Sequence, residues 1–363
     1  MTAPMRVLHV AETIRGGPAT VLTQHLLAQV VLFGQENVRA IVPDQHADDL
    51  VDVREPIVQT FHRTGRDVSS LIRLALASWR TLRAFKPTVV HLHSTFAGVV
   101  VRLALLGVPR AQRPRVVYCP HAWAFMMDGA PLVRRLYARI ERMLLPLTDV
   151  VICVSEYERR VAQSSGLPSA KLRVIHNGVA APGQTAVAPR AKHGPLHAVF
   201  VGRLDRQKGF DILTNAVGMI PADALHLEVI GAVVLDTTMP VQRPNVVYRG
   251  WQSPAQVQAA LRAADVLIMP SRWESFGLVA VEAQKCGCAV LATNVCSLPE
   301  VVADGVTGHL VAPEDPQALA TVLMGTSKAG WQAMGAAAAA LTRERFTVDV
   351  MVSETVAVYH GAP

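Results

Sequence analysis

Two glutamates eight positions apart, Glu274 and Glu282, flank a glycine in the run Pro270-Ser271-Arg272-Trp273-Glu274-Ser275-Phe276-Gly277-Leu278-Val279-Ala280-Val281-Glu282-Ala283. The run follows a β-branched stretch, Val266–Met269, and Gly277 opens a helical pattern. The N–H groups of Phe276 to Val279 then lie at a helix N-terminus, where the helix dipole favours an anion. A carboxylate among Leu278 to Ala283 costs energy if it is buried without a partner. Sugar or ribose hydroxyls are natural partners for both glutamates. The competing reading is a pair of solvated surface acids.

A second cluster is Gly202-Arg203-Leu204-Asp205-Arg206-Gln207-Lys208-Gly209, after the stretch His197–Val201. It puts three cations within six residues on a loop that precedes a helix. Arg203 can grip a phosphate as a fork and Lys208 as a point charge; a merely solvated loop is the alternative. A third feature follows the first strand-like run: Glu12-Thr13-Ile14-Arg15-Gly16-Gly17-Pro18-Ala19. Gly16 and Gly17 would let backbone approach a phosphate or sugar, and Pro18 suits a first helical turn. This is not Gly-x-Gly-x-x-Gly, and no suitably placed acid ends the second strand, which argues against a nicotinamide cofactor. His91 and His93 alternate on one strand, but no third ligand lies within sequence range, so they are expected at core or strand-end positions and no metal site is expected. No two aspartates are separated by a single residue, so an Asp-x-Asp metal motif is absent from the sequence.

The elements that must hold these residues repeat from end to end. Strand-like runs fall at Arg6–Val10, Val38–Val42, Ile57–Gln59, Thr88–Leu92, Val116–Cys119 and Val150–Val154. In the second half they fall at His197–Val201, His226–Ile230, Asn245–Tyr248, Val266–Met269 and Ala289–Ala292. Helical patterns lie between them, among them Ser70–Phe85, Pro131–Leu145, Asp315–Met324 and Thr347–Tyr359. Strands apolar on both faces and alternating with helices predict parallel sheets in doubly wound α/β layers. The 363 residues suit two domains. Asn177-Gly178 and the aperiodic, Ala- and Pro-rich stretch to Pro195 mark the break. The expected division is residues 1–178, a linker 179–195, a second domain 196–345, and a last helix in 346–363. Ligands of such sheets sit at the C-terminal strand ends, so a negatively charged ligand in a cleft between the two domains is expected.

Composition narrows the class. Half of the chain is hydrophobic and 17% is charged, which excludes a disordered protein. No apolar run reaches about 18 residues, and the best, Phe96 to Val108, is broken by Arg102. The N-terminus does not read as a signal peptide. Five cysteines without zinc-ligand spacing read as reduced thiols of a cytoplasmic protein. Charge is uneven: residues 1–180 hold 22 of 35 Lys and Arg and 13 of 28 Asp and Glu, hence +9, and the remainder stands at −2. A basic half suits an anionic surface or a phosphorylated acceptor. Helices Ser70–Phe85 and Pro131–Leu145 each join an apolar stripe to arginines: Arg73, Arg80 and Arg83 on one, Arg134, Arg135, Arg139 and Arg142 on the other. That pattern suits a peripheral dock on anionic lipid.

In this order and spacing the motifs resemble a known family, the retaining nucleotide-sugar glycosyltransferases of family four with the GT-B fold. The resemblance runs over nearly the whole chain. It is carried by Gly16-Gly17, Val89-Val90-His91-Leu92-His93, Pro120-His121, Val154-Ser155-Glu156 and Val174-Ile175-His176-Asn177-Gly178-Val179. It continues through the Arg203…Lys208 loop, the paired glutamates and Leu298-Pro299-Glu300-Val301-Val302-Ala303-Asp304-Gly305-Val306-Thr307-Gly308. It implies two Rossmann-like doubly wound domains, the first binding acceptor and the second nucleotide-sugar, with the C-terminal helix returning to the first. Arg203 and Lys208 would hold the donor diphosphate and Glu282 its ribose. Glu274, with N–H groups of Ser275, Phe276, Gly277 and Leu278, would hold the transferred sugar and β-phosphate. His121 would sit near that sugar, and Gly16 and Gly17 would let donor and acceptor meet. Cys296-Ser297, Ala289 and Ala180 depart from the family's usual residues without removing a charge needed for transfer.

The expected activity is transfer of a hexose from a UDP- or GDP-sugar to an acceptor hydroxyl with retention at the anomeric carbon, without a required cofactor. The acceptor would be a glycan or polyprenyl-diphosphate-linked intermediate of bacterial surface glycan synthesis. An anionic surface at the inner face of the membrane is a further expected partner; nucleic acid is not. The competing readings are a nucleotide-sugar epimerase or hydrolase on the same fold and a non-catalytic nucleotide-sugar-binding protein.

Overall fold

A computed structural model describes residues 4–53, 56–127, 129–183, 190, 193–233 and 242–361. The chain forms two α/β units, Met1–Gly178 with Val348–Pro363, and Val179–Thr347. Of the expected linker, residues 184–189 and 191–192 lie outside the described residues.

The first unit is built on strands β1 (Val7–Ala11), β2 (Val38–Pro43), β3 (Val58–Phe61), β4 (Val89–His93), β5 (Arg115–Cys119), β6 (Val150–Cys153) and β7 (Leu172–Val174). Their order is β3-β2-β1-β4-β5-β6-β7, and all pairs are parallel. The connections wind outward in both directions from the β1–β4 pair, the switch point at which such sheets bind ligands. Helices α1 (Gly17–Phe33), α2 (Val68–Phe85), α3 (Thr95–Ala104), α4 (Pro131–Leu144) and α5 (Glu156–Ser164) join them. Asp67 caps α2 by accepting from Ser70 N, and Ser155 caps α5 by accepting from Glu158 N, each relieving an orphan donor of the first turn. Leu8, Val10, Ile41, Val90, Leu92 and Tyr118 form the core between the sheet and its helices.

The second unit repeats the plan with β8 (Leu196–Val201), β9 (Leu225–Ile230), β10 (Val246–Gly250), β11 (Val266–Met269), β12 (Ala289–Thr293) and β13 (Gly308–Val311). The order β10-β9-β8-β11-β12-β13 is again fully parallel, with its switch point between β8 and β11. Its helices are α6 (Phe210–Gly218), α7 (Pro254–Ala263), α8 (Leu278–Lys285), α9 (Leu298–Val301), α10 (Pro316–Gly325) and α11 (Lys328–Thr342). The last helix, α12 (Val348–Tyr359), belongs to the first unit. There Tyr359 accepts from Gln29 of α1, and the carbonyl of Val358 accepts from Arg115 of β5.

Both sheets are Rossmann-like, in line with the α/β pattern of the sequence. The short edge strands β7 and β13 are additions to the expected strands. Two surface details refine the sequence reading. Arg102 is fully buried, paired with Glu141 of α4 at 2.7 Å and stacked on Tyr118. The apolar stripe of α4 does not face the core: Leu132, Leu136 and Met143 are 76%, 56% and 70% exposed, and the helix buries Glu141 and Leu144 instead. Along α2, Val68, Ile72, Leu76 and Trp79 are likewise exposed. Among the described residues, no helix is long and apolar enough to cross a membrane.

Candidate functional site

The second unit gathers its charges on the two loops that leave its switch point. The loop after β8 ends at Gly209, which caps α6 with φ +66°; a Cβ there would lie 1.9 Å from the carbonyl oxygen of Pro270. Glycine is therefore what lets the β8 and β11 loops touch. Across that contact Lys208 Nζ donates to Glu274 Oε1 at 2.6 Å, and Ser271 Oγ donates to the same oxygen at 3.0 Å. Glu274 is buried, and its backbone carbonyl accepts from Ser297 Oγ. Asp205 accepts from the Lys208 N–H at 3.0 Å and pairs with Arg203 Nε at 3.1 Å. Gln207 accepts from Arg203 Nη2. The side chain of Arg203 is more than one third exposed, and a guanidinium so placed can take a phosphate.

Arg272 holds the two loops together. It meets both oxygens of Asp211 at 2.7 Å and both of Glu314 at 2.5 and 2.8 Å, and donates to the carbonyl of Arg206. These partners push its pKa upward. Gly277, at φ +88°, caps α8, and a Cβ there would press on Leu298. The helix that follows presents first-turn N–H groups without intrahelical acceptors. Phe276 packs edge-on against Phe346. Glu282, in the second turn of α8, is half-buried, and its carboxylate has no hydrogen-bond or ion-pair partner among the described residues. Burial pushes its pKa up to about 7.

The first unit offers a cavity of about 390 Å³ lined by Glu12, Thr13, Arg66, Ser94, His121 and Arg134 among others. Glu12, at the end of β1, is buried and paired with Arg63 at 2.8 Å. Gly16, with φ +72°, precedes α1. His121, on the loop after β5, has φ +57°, an uncommon conformation for a non-glycine residue. Its Nε2 lies 2.9 Å from His93 Nδ1, and its Nδ1 lies 3.6 Å from Cys119 Sγ. Burial brings its pKa down to about 4, so the ring is neutral near pH 7.

Of the residues singled out in the sequence, Lys208 and Glu274 are in direct contact, and Arg203 shares the Asp205 carboxylate with the Lys208 N–H. Glu282 stands apart from that cluster as an unpaired acid. Gly16, Gly17 and His121 belong to the other unit. His91 and His93 are buried in the core, as expected. A third imidazole lies beside them, because β1 pairs with β4 and brings His9 opposite His91. Spacing along one strand could not reveal a partner 82 residues away. Asp205, Ser271, Arg272 and Arg63 are organising residues that the sequence did not single out; the acids held by Arg272 come from positions 211 and 314, with no shared motif.

Two family models match the chain. One described as "Glycosyltransferase Family 4" covers residues 14–181, and one described as "Glycosyl transferases group 1" covers residues 195–326. Over 98% of its length the chain is 36% identical to an "Uncharacterized 41.2 kDa protein in cps region" of Klebsiella pneumoniae, spanning 99% of that protein. It is 35% identical to the D-inositol 3-phosphate glycosyltransferase of Streptomyces avermitilis over 79% of this chain and 68% of that one. Among solved structures, Anabaena HepE in complex with UDP-glucose superimposes with a TM-score of 0.78 at 18% identity, covering 98% of this chain and 99% of that one. The chain belongs to the glycosyltransferases, and its fold is GT-B.

Proposed function

We propose that the protein is a retaining hexosyltransferase that uses a UDP- or GDP-sugar donor. The observation that carries this reading is the Lys208–Glu274 pair on the loops that follow β8 and β11, with Glu274 four residues before the start of α8. In the transfer, the bond from the anomeric carbon to the β-phosphate oxygen breaks and its electron pair leaves with the nucleoside diphosphate. Arg203, Lys208 and the first N–H groups of α8 stabilise the charge that grows there. The acceptor oxygen bonds to the anomeric carbon on the same face, and its proton passes to the departing phosphate. Glu274 fixes the Lys208 ammonium and contacts the sugar as it flattens toward an oxocarbenium ion. Glu282 accepts from the ribose hydroxyls. The protein's own cations neutralise the leaving group, so this step requires no metal.

The acceptor is proposed to be a lipid-linked or polysaccharide intermediate of bacterial surface glycan synthesis. Support comes from the relative in the cps region and from the arginines of the cavity in the first unit. The exposed apolar residues and arginines of α2 and α4 support reversible docking at the inner face of the membrane, each basic residue near anionic lipid contributing about 1 kcal/mol.

The test is a panel of UDP- and GDP-sugars scored for protection against thermal unfolding, followed by incubation of the stabilising donor with and without a polyprenyl-diphosphate acceptor. Acceptor-dependent release of nucleoside diphosphate is expected. Release without acceptor would mean a hydrolase, a changed sugar an epimerase, and protection without turnover a binding protein.

A further inference from the structure

Five of the thirteen histidines meet inside the first unit: His9, His25, His91, His93 and His121. The fold explains the gathering. His9 of β1 sits opposite His91 of β4, and the two-residue period of a strand turns His93 to the same face. From α1, His25 and Gln29 lie one turn apart over that face, and Tyr359 of α12 closes it. The rings of His91 and His93 are 4.2 Å apart, and each is 5.2 Å from that of His9. All three side chains are almost wholly buried.

The arrangement divides the ring nitrogens into an outer and an inner set. Each outer nitrogen has a partner: His9 Nε2 meets Gln29 Oε1 at 2.9 Å, His91 Nδ1 meets Tyr359 Oη at 2.7 Å, and His93 Nδ1 meets His121 Nε2 at 2.9 Å. The inner nitrogens face one another. His9 Nδ1 and His93 Nε2 are 2.9 Å apart, while His91 Nε2 is buried and has no partner among the described residues. One ring nitrogen from each of the three lies within 4.8 Å of the other two. Three imidazoles that each turn one nitrogen to a common centre and tie the other to an outer partner have the construction of a metal-binding triad, because the outer bond fixes ring and tautomer.

We propose that His9, His91 and His93 bind one divalent ion of the zinc class. Three neutral imidazole donors select zinc, cobalt or nickel over magnesium, calcium or manganese, which prefer oxygen. Gln29 Oε1 accepts from His9 Nε2, so the Nδ1 lone pair of His9 already points inward. His91 and His93 present Nε2 once each carries its proton on Nδ1, donating to Tyr359 and to His121. His121 in turn moves its proton to Nδ1, facing Cys119. These are tautomer shifts within neutral rings, so the three ligands lose no proton on binding. A void the size of one water molecule, lined by His25, His91 and His93 among others, adjoins two of the three ligands. The site ties β1 to β4 and, through Tyr359, holds the C-terminal helix. It lies outside the Lys208–Glu274 cluster and does not depend on the proposed transfer reaction.

The test uses the full chain free of any polyhistidine tag. Stripped protein is titrated with Co²⁺ and then Zn²⁺, with visible absorption, metal content and thermal unfolding as readouts. The expected result is one ion per chain, cobalt bands of low-symmetry nitrogen coordination that zinc abolishes, a raised unfolding temperature, and no response to Mg²⁺. Tyr359→Phe, which removes only an outer partner, is expected to weaken binding by about 10–100-fold. His91→Gln should abolish stoichiometric binding, whereas His226→Gln in the second unit should leave it intact. Absence of stoichiometric cobalt and zinc binding by the folded wild-type chain would overturn the site, and so would unchanged binding by folded His91→Gln.

Discussion

The two units share one winding and differ in what they place at its switch point. Between β1 and β4 the first unit sets neutral histidines, whose pKa values burial lowers, His9 to about 4 and His25 to about 3. Between β8 and β11 the second unit sets Arg203, Lys208, Glu274 and Arg272 on loops, with Arg203 and Lys208 partly open to solvent. Topology selects the place where a ligand binds, and side chains select which ligand. The imidazoles of the first carry no charge near pH 7, whereas the loops of the second hold Arg203 and Lys208, cations able to neutralise a diphosphate. The first unit spends its polar residues on an internal network that joins two strands and two helices.

Substitutions can break this contrast. The largest effect is expected from Arg102→Ala in the first unit, which strands Glu141 in the core. Unpairing a buried ion typically costs about 3–5 kcal/mol. Arg249→Ala in the second unit, which removes a half-exposed partner of Glu228, should cost under about 1 kcal/mol. Urea unfolding of both variants checks the difference, and similar losses would contradict it.

Next come the two acids of the second unit. Glu274→Ala is expected to lower turnover on the order of 10²-fold through the loss of contacts that strengthen in the transition state. Glu282→Ala should chiefly raise the donor KM, since a contact to a non-reacting ribose is equally strong before and during reaction. Steady-state kinetics separate them; exchanged phenotypes would reverse the assignment.

Glu282 also makes a prediction about pH. Its folded pKa, about 7, lies above the ordinary 4.5. The folded state therefore holds this proton more tightly, and the contribution of this carboxyl to stability falls as pH rises from about 4.5 to 7. Glu282→Gln removes that fall. The variant should match wild type below about pH 4.5 and unfold at a higher temperature above pH 7, in melts without donor. A pH-independent offset would mean that the carboxyl is not desolvated.

The smallest effect on folding is expected at α4. Leu136→Ser alters an exposed side chain and should change stability by no more than about 0.5 kcal/mol. The same variant should weaken co-sedimentation with anionic vesicles, and the wild-type association should weaken with added salt. Wild-type binding indifferent to lipid charge and salt would remove the docking proposal.

Most of this architecture was legible in the amino-acid order. Apolar runs such as Val266–Met269 and Val150–Val154 mark buried parallel strands, and β11 and β6 occupy those positions within a residue. The edge strands β7 and β13 were not legible: β7 is three residues with Arg173 between two apolar ones, and β13 opens on Gly308 and His309. Lys208 and Glu274 could be read as separate motifs; that they form one ion pair depends on Gly209 lying against Pro270, a contact across 61 residues. The histidine cluster was least legible. Its members come from β1, α1, β4 and the loop after β5, and only strand pairing and the packing of α1 on the sheet unite them.

The account stands most directly on Lys208. Turnover and donor affinity should be measured side by side for wild type and Lys208→Ala, with the UDP- or GDP-sugar that protects the chain from unfolding. A cation placed where leaving-group charge develops predicts a fall in kcat on the order of 10²-fold or more with a much smaller change in donor Kd. Wild-type turnover in Lys208→Ala, or a loss confined to donor affinity, would contradict it.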